Sequence, residues 1–305
     1  MQVLYATDGS PGAAKAVALL EALADRAATE VTVLSVAVAP LAGGSRSGPS
    51  RRSRAEEVAE AAAGRLREAG FAPTVEVAEG RAAHVISQRS RDHELVVLGS
   101  GSTGWAARRL LGSVGTHVLH AATSSVLIVH EAPAAGPARV IVAVDGSEDS
   151  HCAVEAAAGL LDPQRCELKV ISVAEVLGPV LHPPYVAHAT SAPEGREEEL
   201  TAPARQAAEE AAERLRAAGF SVTQQVVMGH PLRRLLSEAE QAGAALVVVG
   251  SRGLNPLDRV VLGSVSDQLI RHSPATLVGR RRASAPAEPA EPAQADPPGG
   301  SARPG

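Results

Sequence analysis

The chain has 305 residues, of which 45% are hydrophobic and only 2% aromatic, and its formal net charge is −5. This length predicts about two domains with aliphatic cores, and the negative charge argues against a general nucleic-acid-binding protein. The N-terminus lacks a basic segment and meets a charge at Asp8, so no signal peptide is predicted. No apolar run reaches the roughly 18 residues of a membrane span. A cytoplasmic protein without nucleic-acid or membrane partners is therefore expected.

Two cysteines, Cys152 and Cys166, are present. Their spacing does not match a zinc site, and it is typical of small buried side chains in a reducing compartment.

The sequence contains two copies of one pattern. Asp8-Gly9-Ser10 recurs 137 residues later as Asp145-Gly146-Ser147, and the offset grows to 151 at the glycine-rich motifs that begin with Gly99 and Gly250. The second copy has therefore gained residues, mainly in the Pro- and His-rich segment 175–199, which is typical of a loop. Duplication within one chain is the first feature that any prediction of its fold must satisfy.

Alternating apolar patterns predict five strands and four helices in each copy. In the first copy the strands are predicted at 2–8, 30–37, 73–78, 94–99 and 125–129, and the helices at 12–28, 52–69, 81–92 and 113–122. In the second copy the strands are predicted at 139–145, 167–173, 221–228, 245–250 and 275–278, and the helices at 148–161, 196–218, 231–242 and 264–272.

Strands that alternate with helices predict right-handed crossovers and a parallel sheet with helices on both faces. The fold class is therefore α/β, with two tandem, doubly wound, five-stranded domains. The predicted first domain, hereafter the first repeat, spans residues 1–131. A linker at 132–138 leads to the second repeat at 139–279, and the Pro- and Ala-rich tail at 280–305 is expected to be disordered.

The ends of two strands in each repeat carry candidate binding residues. In an open parallel sheet, ligands bind at the carboxyl ends of the strands where the strand order reverses. Asp8 and Asp145 follow the first strands, and Gly99 and Gly250 end the fourth strands. If the first and fourth strands are neighbours, each aspartate faces a crevice whose glycine lets main-chain amides approach an anion. An ordinary Asp-Gly-Ser turn is the alternative role for each aspartate.

Ser113 and Ser264 are predicted at helix starts, where unpaired N–H groups and the helix dipole favour negative charge. We expect each serine to cap its helix through its hydroxyl group, with phosphate contact as an additional role.

The glycine motif of the second repeat resembles that of the universal stress protein family, whose signature is G-x-x-G, nine residues, and then G-S or G-T. The second repeat satisfies it with Gly250, Gly253, Gly263 and Ser264. The resemblance implies an adenine-nucleotide alpha-hydrolase-like fold in which these four residues hold the ribose and phosphates. It also implies that Asp145 and Val173 contact the adenine end.

For the first repeat, the resemblance implies a site made of Asp8, Val36, Gly99, Gly112 and Ser113. There, Ser102 replaces the second glycine of the motif, although Gly101 and Gly104 flank it. The first repeat is therefore the less complete nucleotide site.

The resemblance further implies an internal pseudo-dimer in which Val126–Val129 and Leu277–Val278 are the facing edges, with a further homodimer left open. The implied ligand is ATP with Mg²⁺ brought by the nucleotide, and cyclic AMP or no nucleotide are the alternatives. The implied role is nucleotide-responsive regulation or protection under stress, with at most slow ATP hydrolysis and no catalytic residues. A nucleotide-free scaffold for dimerisation and partner binding is the alternative function.

Several other patterns are weaker evidence for a binding or catalytic role than they first suggest. Gly99–Gly104 spells G-x-G-x-x-G but follows a fourth strand and lacks the acidic residue of a dinucleotide site. The sequence has no P-loop and no G-x-S-x-G motif. His117 and His120 suit an exposed helix face better than a metal site. His182 and His188 lie in the predicted loop, and Arg108 and Arg259 are either exposed cations or screen phosphate charge.

Overall fold

The computed structural model describes residues 1–38, 50–100, 111–175, 196–253 and 262–281. The strands of the first repeat are β1 (Gln2–Ala6), β2 (Glu30–Ala37), β3 (Thr74–Glu79), β4 (Leu95–Gly99) and β5 (Ser125–Val129). Its helices are α1 (Pro11–Leu23), α2 (Arg51–Glu68), α3 (Ala82–Arg89) and α4 (Ser113–Ala121). The elements follow the predicted order.

The second repeat has the same order of elements. Its strands are β6 (Ala138–Val144), β7 (Cys166–Ala174), β8 (Ser221–Met228), β9 (Leu246–Gly250) and β10 (Ala275–Gly279). Its helices are α5 (Glu148–Leu160), α6 (Arg196–Ala217), α7 (Pro231–Ala242) and α8 (Ser264–His272). The central part of the predicted loop 175–199 and the tail beyond residue 281 lie outside the described residues.

All ten strands form one sheet in the order β3-β2-β1-β4-β5-β10-β9-β6-β7-β8. Neighbouring strands run parallel within each repeat, as the alternation of strands and helices predicts. Within the sheet the two repeats join through an antiparallel pair: β5 pairs with β10, with Leu127 opposite Leu277 and Val126 opposite Val278. In each repeat the strand order reverses where the first strand lies beside the fourth.

Aliphatic side chains fill a core on each face of the sheet. Leu20 of α1, Leu66 of α2, Leu160 of α5 and Leu215 of α6 lie in the core of one face. Side chains from α3, α4, α7 and α8 pack in the core of the other face, among them Leu119 and Leu269. Because helices cover both faces, central strands such as β4 and β9 are buried on both sides and read as continuous apolar runs. The edge strands β3 and β8 are partly exposed and carry polar residues.

Helix α1 is shorter than predicted, and the reason lies in the other repeat. It was expected to reach residue 28 but ends at Leu23, because Ala24 is extended and pairs with Leu161 in an antiparallel bridge. The Asp25 amide donates to Leu160 O, and the Asp162 amide donates to Leu23 O, both at 2.8 Å. A contact this distant in sequence leaves no trace in the local apolar pattern.

The two cysteines have different environments. Cys166 is buried, as expected, whereas Cys152 on α5 is half-buried. Within the described ranges, no helix is long and apolar enough to cross a membrane.

Candidate functional site

The sheet brings the predicted residues of each repeat to one edge. Ala6 of β1 pairs with Leu98 of β4, so Asp8 and Gly99 both lie at the carboxyl ends of neighbouring strands. In the second repeat Val142 pairs with Val248, which places Asp145 and Gly250 in the same relation. The first and fourth strands are therefore neighbours in both repeats, as the predicted crevice requires.

Both aspartates make the turn that their sequence predicts. The Ser147 amide donates to Asp145 Oδ1 at 3.0 Å and the Ser147 hydroxyl donates to the same oxygen at 2.6 Å. Gly146 between them has a φ of 81°, a value that favours glycine. In the first repeat, the amide of Ser10 donates to Asp8 Oδ1 at 2.9 Å. These bonds occupy one carboxylate oxygen of each aspartate.

The second carboxylate oxygen of Asp145 faces the glycine motif. A β-carbon placed on Gly253 would stand 2.9 Å from Asp145 Oδ2, which is closer than real β-carbons approach other atoms. Asp145 and Gly253 are both exposed. A carboxylate and the main chain at the start of the motif therefore meet at a point that is open to solvent.

The serines at the helix starts do not cap their helices, contrary to our expectation. Gly112 and Gly263 occupy the N-cap positions with extended backbones, and neither helix has a side-chain cap hydrogen bond. Ser113 and Ser264 are the first helical residues instead, and both are exposed. A glycine N-cap leaves the first helical amides without a side-chain acceptor.

Those amides form a donor group at the start of α8. The first main-chain bond of the helix runs from the Asp267 amide to Gly263 O at 3.0 Å. The amides of Ser264, Val265 and Ser266 precede that bond and so have no partner within the helix. A helix N-terminus with free amides and a positive dipole end attracts an anion.

Two hydrogen bonds fasten the start of α8 to the end of β9. The Gly263 amide donates to Ser251 O at 2.8 Å, and the buried Ser266 hydroxyl donates to Gly250 O at 2.7 Å. A β-carbon on Gly263 would lie 3.3 Å from Ser251 O, so the two chain segments are in close contact. The two ends of the second glycine motif therefore lie together although residues 254–261 lie outside the described ranges.

The strand-end glycines have a packing role that the sequence did not reveal. A β-carbon on Gly99 would lie 2.1 Å from Gly12 O, and one on Gly250 would lie 2.8 Å from the Ser150 amide nitrogen. Gly99 and Gly250 thus allow the first turns of α1 and α5 to pack on the ends of β4 and β9.

Val36 and Val173 lie level with the aspartates. Val144 pairs with Ser172, so the residues that follow them, Asp145 and Val173, lie side by side. In the first repeat Ala6 pairs with Leu34, so Asp8 and Val36, each two residues further on, lie side by side in the same way. Both valines are half-buried against the core that includes α4 and α8. Each offers an apolar wall next to its carboxylate.

A buried polar cluster next to the second site escaped our sequence analysis. Asp149, in the first turn of α5, accepts a hydrogen bond from the Ser251 hydroxyl at 2.5 Å and another from Arg252 Nε at 3.1 Å. Its side chain is only 6% exposed, and that of Arg252 is 28% exposed. A buried carboxylate needs such partners because an unpaired buried charge is strongly destabilising.

Another arginine lies close to this cluster. Arg280 follows β10, and burial lowers the pKa of its guanidinium, an effect that the charge of Asp149 opposes and that of Arg252 reinforces.

Two of the remaining candidates lie within the described residues. His117 and His120 are both exposed on α4. Among the residues that the structure describes, no three His, Cys, Asp or Glu side chains are grouped as metal ligands. Ser102 and its flanking glycines Gly101 and Gly104 lie outside the described residues, as do Arg108, Arg259, His182 and His188.

Sequence comparison decides the family. The sequence profile of the universal stress protein family matches the chain twice, over residues 1–130 and 137–278. The chain belongs to the universal stress protein family. Its two matches correspond to the two halves of the sheet, so it is a tandem member of that family.

The curated relatives include universal stress proteins of mycobacteria and of Bacillus subtilis. A universal stress protein of Mycolicibacterium smegmatis is 32% identical over 203 residues, which are 66% of this chain and 66% of the relative. A universal stress protein of Mycobacterium tuberculosis is 34% identical over 193 residues, or 59% of each protein. The aligned part of the chain thus spans about two thirds or less of the length of these relatives.

Solved structures of the family share the tandem fold. The crystal structure of a universal stress protein from Archaeoglobus fulgidus matches 92% of this chain and 98% of its own, with 25% identity and a TM-score of 0.66. A putative universal stress protein from Pseudomonas aeruginosa covers 91% of this chain and 92% of its own with a TM-score of 0.58 at 16% identity, a likeness of fold alone.

Proposed function

We propose that this universal stress protein binds ATP or a related adenine nucleotide in its second repeat and acts as a nucleotide-responsive regulatory protein. The observation that carries the proposal is the meeting of the Asp145 carboxylate with the main chain of Gly253. In the proposed complex an acidic acceptor and a group of amide donors would lie on either side of the ligand, as a ligand with both hydroxyl and phosphate groups requires.

Five of the six residues predicted for the second repeat have a ligand role in this proposal, while Gly250 lets α5 pack on the end of β9. The free amides at the start of α8, beginning with Ser264, would bind phosphate oxygens, with each charge-assisted bond contributing about 1.5–3 kcal/mol. Gly253 and Gly263 keep side chains out of the crevice. The free oxygen of Asp145 would accept a bond from a ribose or base, and Val173 would contact the base. Bound ATP supplies the anionic phosphates and brings its own Mg²⁺.

Regulation suits these residues better than rapid catalysis does. The crevice offers a carboxylate, main-chain amides and a valine, and none of these is a dedicated general base aimed at a reacting atom. Any ATP hydrolysis would therefore be slow. A fold that holds a nucleotide without consuming it suits a protein whose shape or partners respond to nucleotide concentration.

In the first repeat, the corresponding proposal involves Asp8, Val36, Gly99, Gly112 and Ser113. We expect this site to bind more weakly, since no atom among the described residues lies within 4 Å of a β-carbon placed on Gly112. Among the described residues, the start of α4 has no main-chain bond to its strand end like the one from the Gly263 amide to Ser251 O. The two repeats would act as an internal pseudo-dimer joined through β5 and β10.

Calorimetric titration tests the proposal. ATP, cyclic AMP and adenosine are titrated into the wild-type chain and into Gly263→Leu, whose side chain would collide with Ser251 O. Gly64→Leu on α2, where a β-carbon meets no atom within 4 Å, is the control. We expect the control to bind like the wild type and Gly263→Leu to lose ATP affinity.

A wild-type chain that binds none of the three ligands would instead support the nucleotide-free scaffold. Mass spectrometry of ligands that co-purify with the folded protein is an independent measurement of the same point.

A further inference from the structure

The two repeats differ in the residues that hold the glycine motif in place. With the offsets of the repeats, Asp149 corresponds to Gly12, Arg252 to Gly101, and Ser266 to Gly115. All three side chains that fasten the second motif are thus glycines in the first repeat.

The fourth fastening residue is retained but has lost its partner. Ser251 corresponds to Ser100, which is 1% exposed. Within the described part of the chain, the Ser100 hydroxyl has no hydrogen-bond partner, whereas the Ser251 hydroxyl donates to Asp149 at 2.5 Å. A buried hydroxyl without a partner costs about 1–3 kcal/mol of stability. The first repeat therefore buries the Ser100 hydroxyl without the hydrogen bond that offsets this cost in the second repeat.

We propose that Asp149 is a positioning residue that holds Ser251 and Arg252 on the N-terminus of α5 and thereby preorganises the phosphate-binding amides of the second repeat. The expected effect of Asp149 on ligand binding rests on the proposed nucleotide site. The expected effect of Asp149 on the order of the ligand-free chain does not depend on that site.

A series of hydrogen bonds connects Asp149 to the start of α8. Asp149 anchors the side chains of Ser251 and Arg252, and the Arg252 carbonyl accepts from the Ser147 hydroxyl at 3.3 Å. The Ser251 carbonyl in turn accepts from the amide of Gly263, the N-cap residue of α8. The turn of Asp145, the strand end and the start of α8 are therefore joined through residues that Asp149 fixes.

Preorganisation raises affinity because main-chain amides that are already ordered lose little conformational entropy when an anion binds. The acidic Asp149 is also favoured in the first turn of α5 by the helix dipole. We therefore expect the second repeat to bind phosphate groups more tightly than the first, where no carboxylate stands at the corresponding position.

Hydrogen exchange on the ligand-free chain tests the positioning role directly. Asp149→Asn keeps the size of the side chain but removes its charge. The control is Asp162→Asn, because Asp162 accepts from Arg165 Nε at the same 3.1 Å but lies at the other end of the sheet. Peptides covering 246–253 and 262–269 are expected to exchange faster by about tenfold or more in Asp149→Asn alone.

Unchanged exchange in those two peptides would overturn the inference, and so would a uniform increase along the whole chain. If Asp149→Asn does not fold, Ser251→Ala removes only the hydroxyl donor and carries the same expectations.

Ligand titration then separates this inference from the proposed function. Asp149→Asn is expected to weaken ATP binding more than adenosine binding, because adenosine has no phosphate for the α8 amides to bind. Equal losses for both ligands would contradict a role limited to the amides. If the wild type binds neither ligand, the proposed nucleotide function fails, while the exchange result still decides whether Asp149 positions the loop.

Discussion

Arg280 donates from Nη1 to the carbonyl oxygen of Ala122 at 3.0 Å, across the boundary between the two repeats. Its second terminal nitrogen donates to Leu119 O, and its main-chain amide donates to the Ser125 hydroxyl at 3.2 Å. Arg280 thus caps the C-terminus of α4 in the first repeat although it follows the last strand of the second. A cation at a helix C-terminus is favoured by the dipole.

Arg280→Gln should therefore destabilise the chain. Removing a mostly buried guanidinium that binds main-chain carbonyl groups should lower the free energy of unfolding by about 1.5–3 kcal/mol. Arg281→Gln is the control, because Arg281 forms an exposed ion pair with Glu148 that contributes about 0–1 kcal/mol. Urea unfolding measures both changes, and equal losses in the two variants would refute the capping role of Arg280.

Gly279 should not tolerate a side chain. A β-carbon there would lie 2.2 Å from Ala153 Cα on α5, so Gly279→Ala should lower the free energy of unfolding by about 1–3 kcal/mol through overpacking. Gly64→Ala, in open space within α2, should instead raise it by about 0.5–1 kcal/mol. Thermal unfolding compares the two, and a stable Gly279→Ala chain would contradict the observed contact between β10 and α5.

Alkaline pH should destabilise the fold through Tyr5. Burial raises the pKa of this phenol from 10.0 to about 12, and its hydroxyl donates to Ala13 O at 2.7 Å. The folded chain keeps this proton where the unfolded chain loses it, so the contribution is complete below pH 10.0 and is lost as pH rises towards 12. The loss is at most about 1.4 kcal/mol per pH unit.

Urea unfolding of Tyr5→Phe across this pH range checks the assignment. The variant should show a shallower alkaline decline than the wild type, although it is less stable near neutral pH because it lacks the hydroxyl bond. Cys166, whose pKa burial also raises to about 12, leaves a residual slope in both chains. Identical slopes in the wild type and in Tyr5→Phe would show that Tyr5 does not titrate with unfolding.

The order of elements and the strand ends that carry the candidate residues could be predicted from the sequence because both depend on local patterns. Apolar runs marked the buried strands, and the Asp-Gly-Ser turns after β1 and β6 marked their carboxyl ends. Because the pattern occurs twice, each element predicted in one repeat was supported by its counterpart in the other. Adjacency of the first and fourth strands was only a condition of that prediction, and the observed strand order meets it and brings Asp145 to the glycine motif.

The features that were missed depend on contacts distant in sequence. Helix α1 ends at Leu23 because of Leu161, and Arg280 caps a helix that ends more than a hundred residues before it. Ser264 was expected to cap α8, but the glycine before it takes that position. Asp149 was overlooked because an acid in a first helical turn is ordinary, although its replacement by Gly12 in the first repeat was a signal that comparison of the repeats could have revealed.

The central claim is that a nucleotide lies between Asp145 and the glycine motif of the second repeat. Its most direct test is an ATP titration of the wild type, Asp145→Ala, Gly253→Val and Asp25→Ala. Asp25 makes the same kind of turn with the Ala27 amide at 2.9 Å but lies at the opposite end of the sheet. We predict that the wild type and Asp25→Ala bind alike, while the two site variants lose about tenfold or more in affinity, equivalent to about 1.4 kcal/mol. Unchanged ATP affinity in folded Asp145→Ala and Gly253→Val chains would contradict the claim.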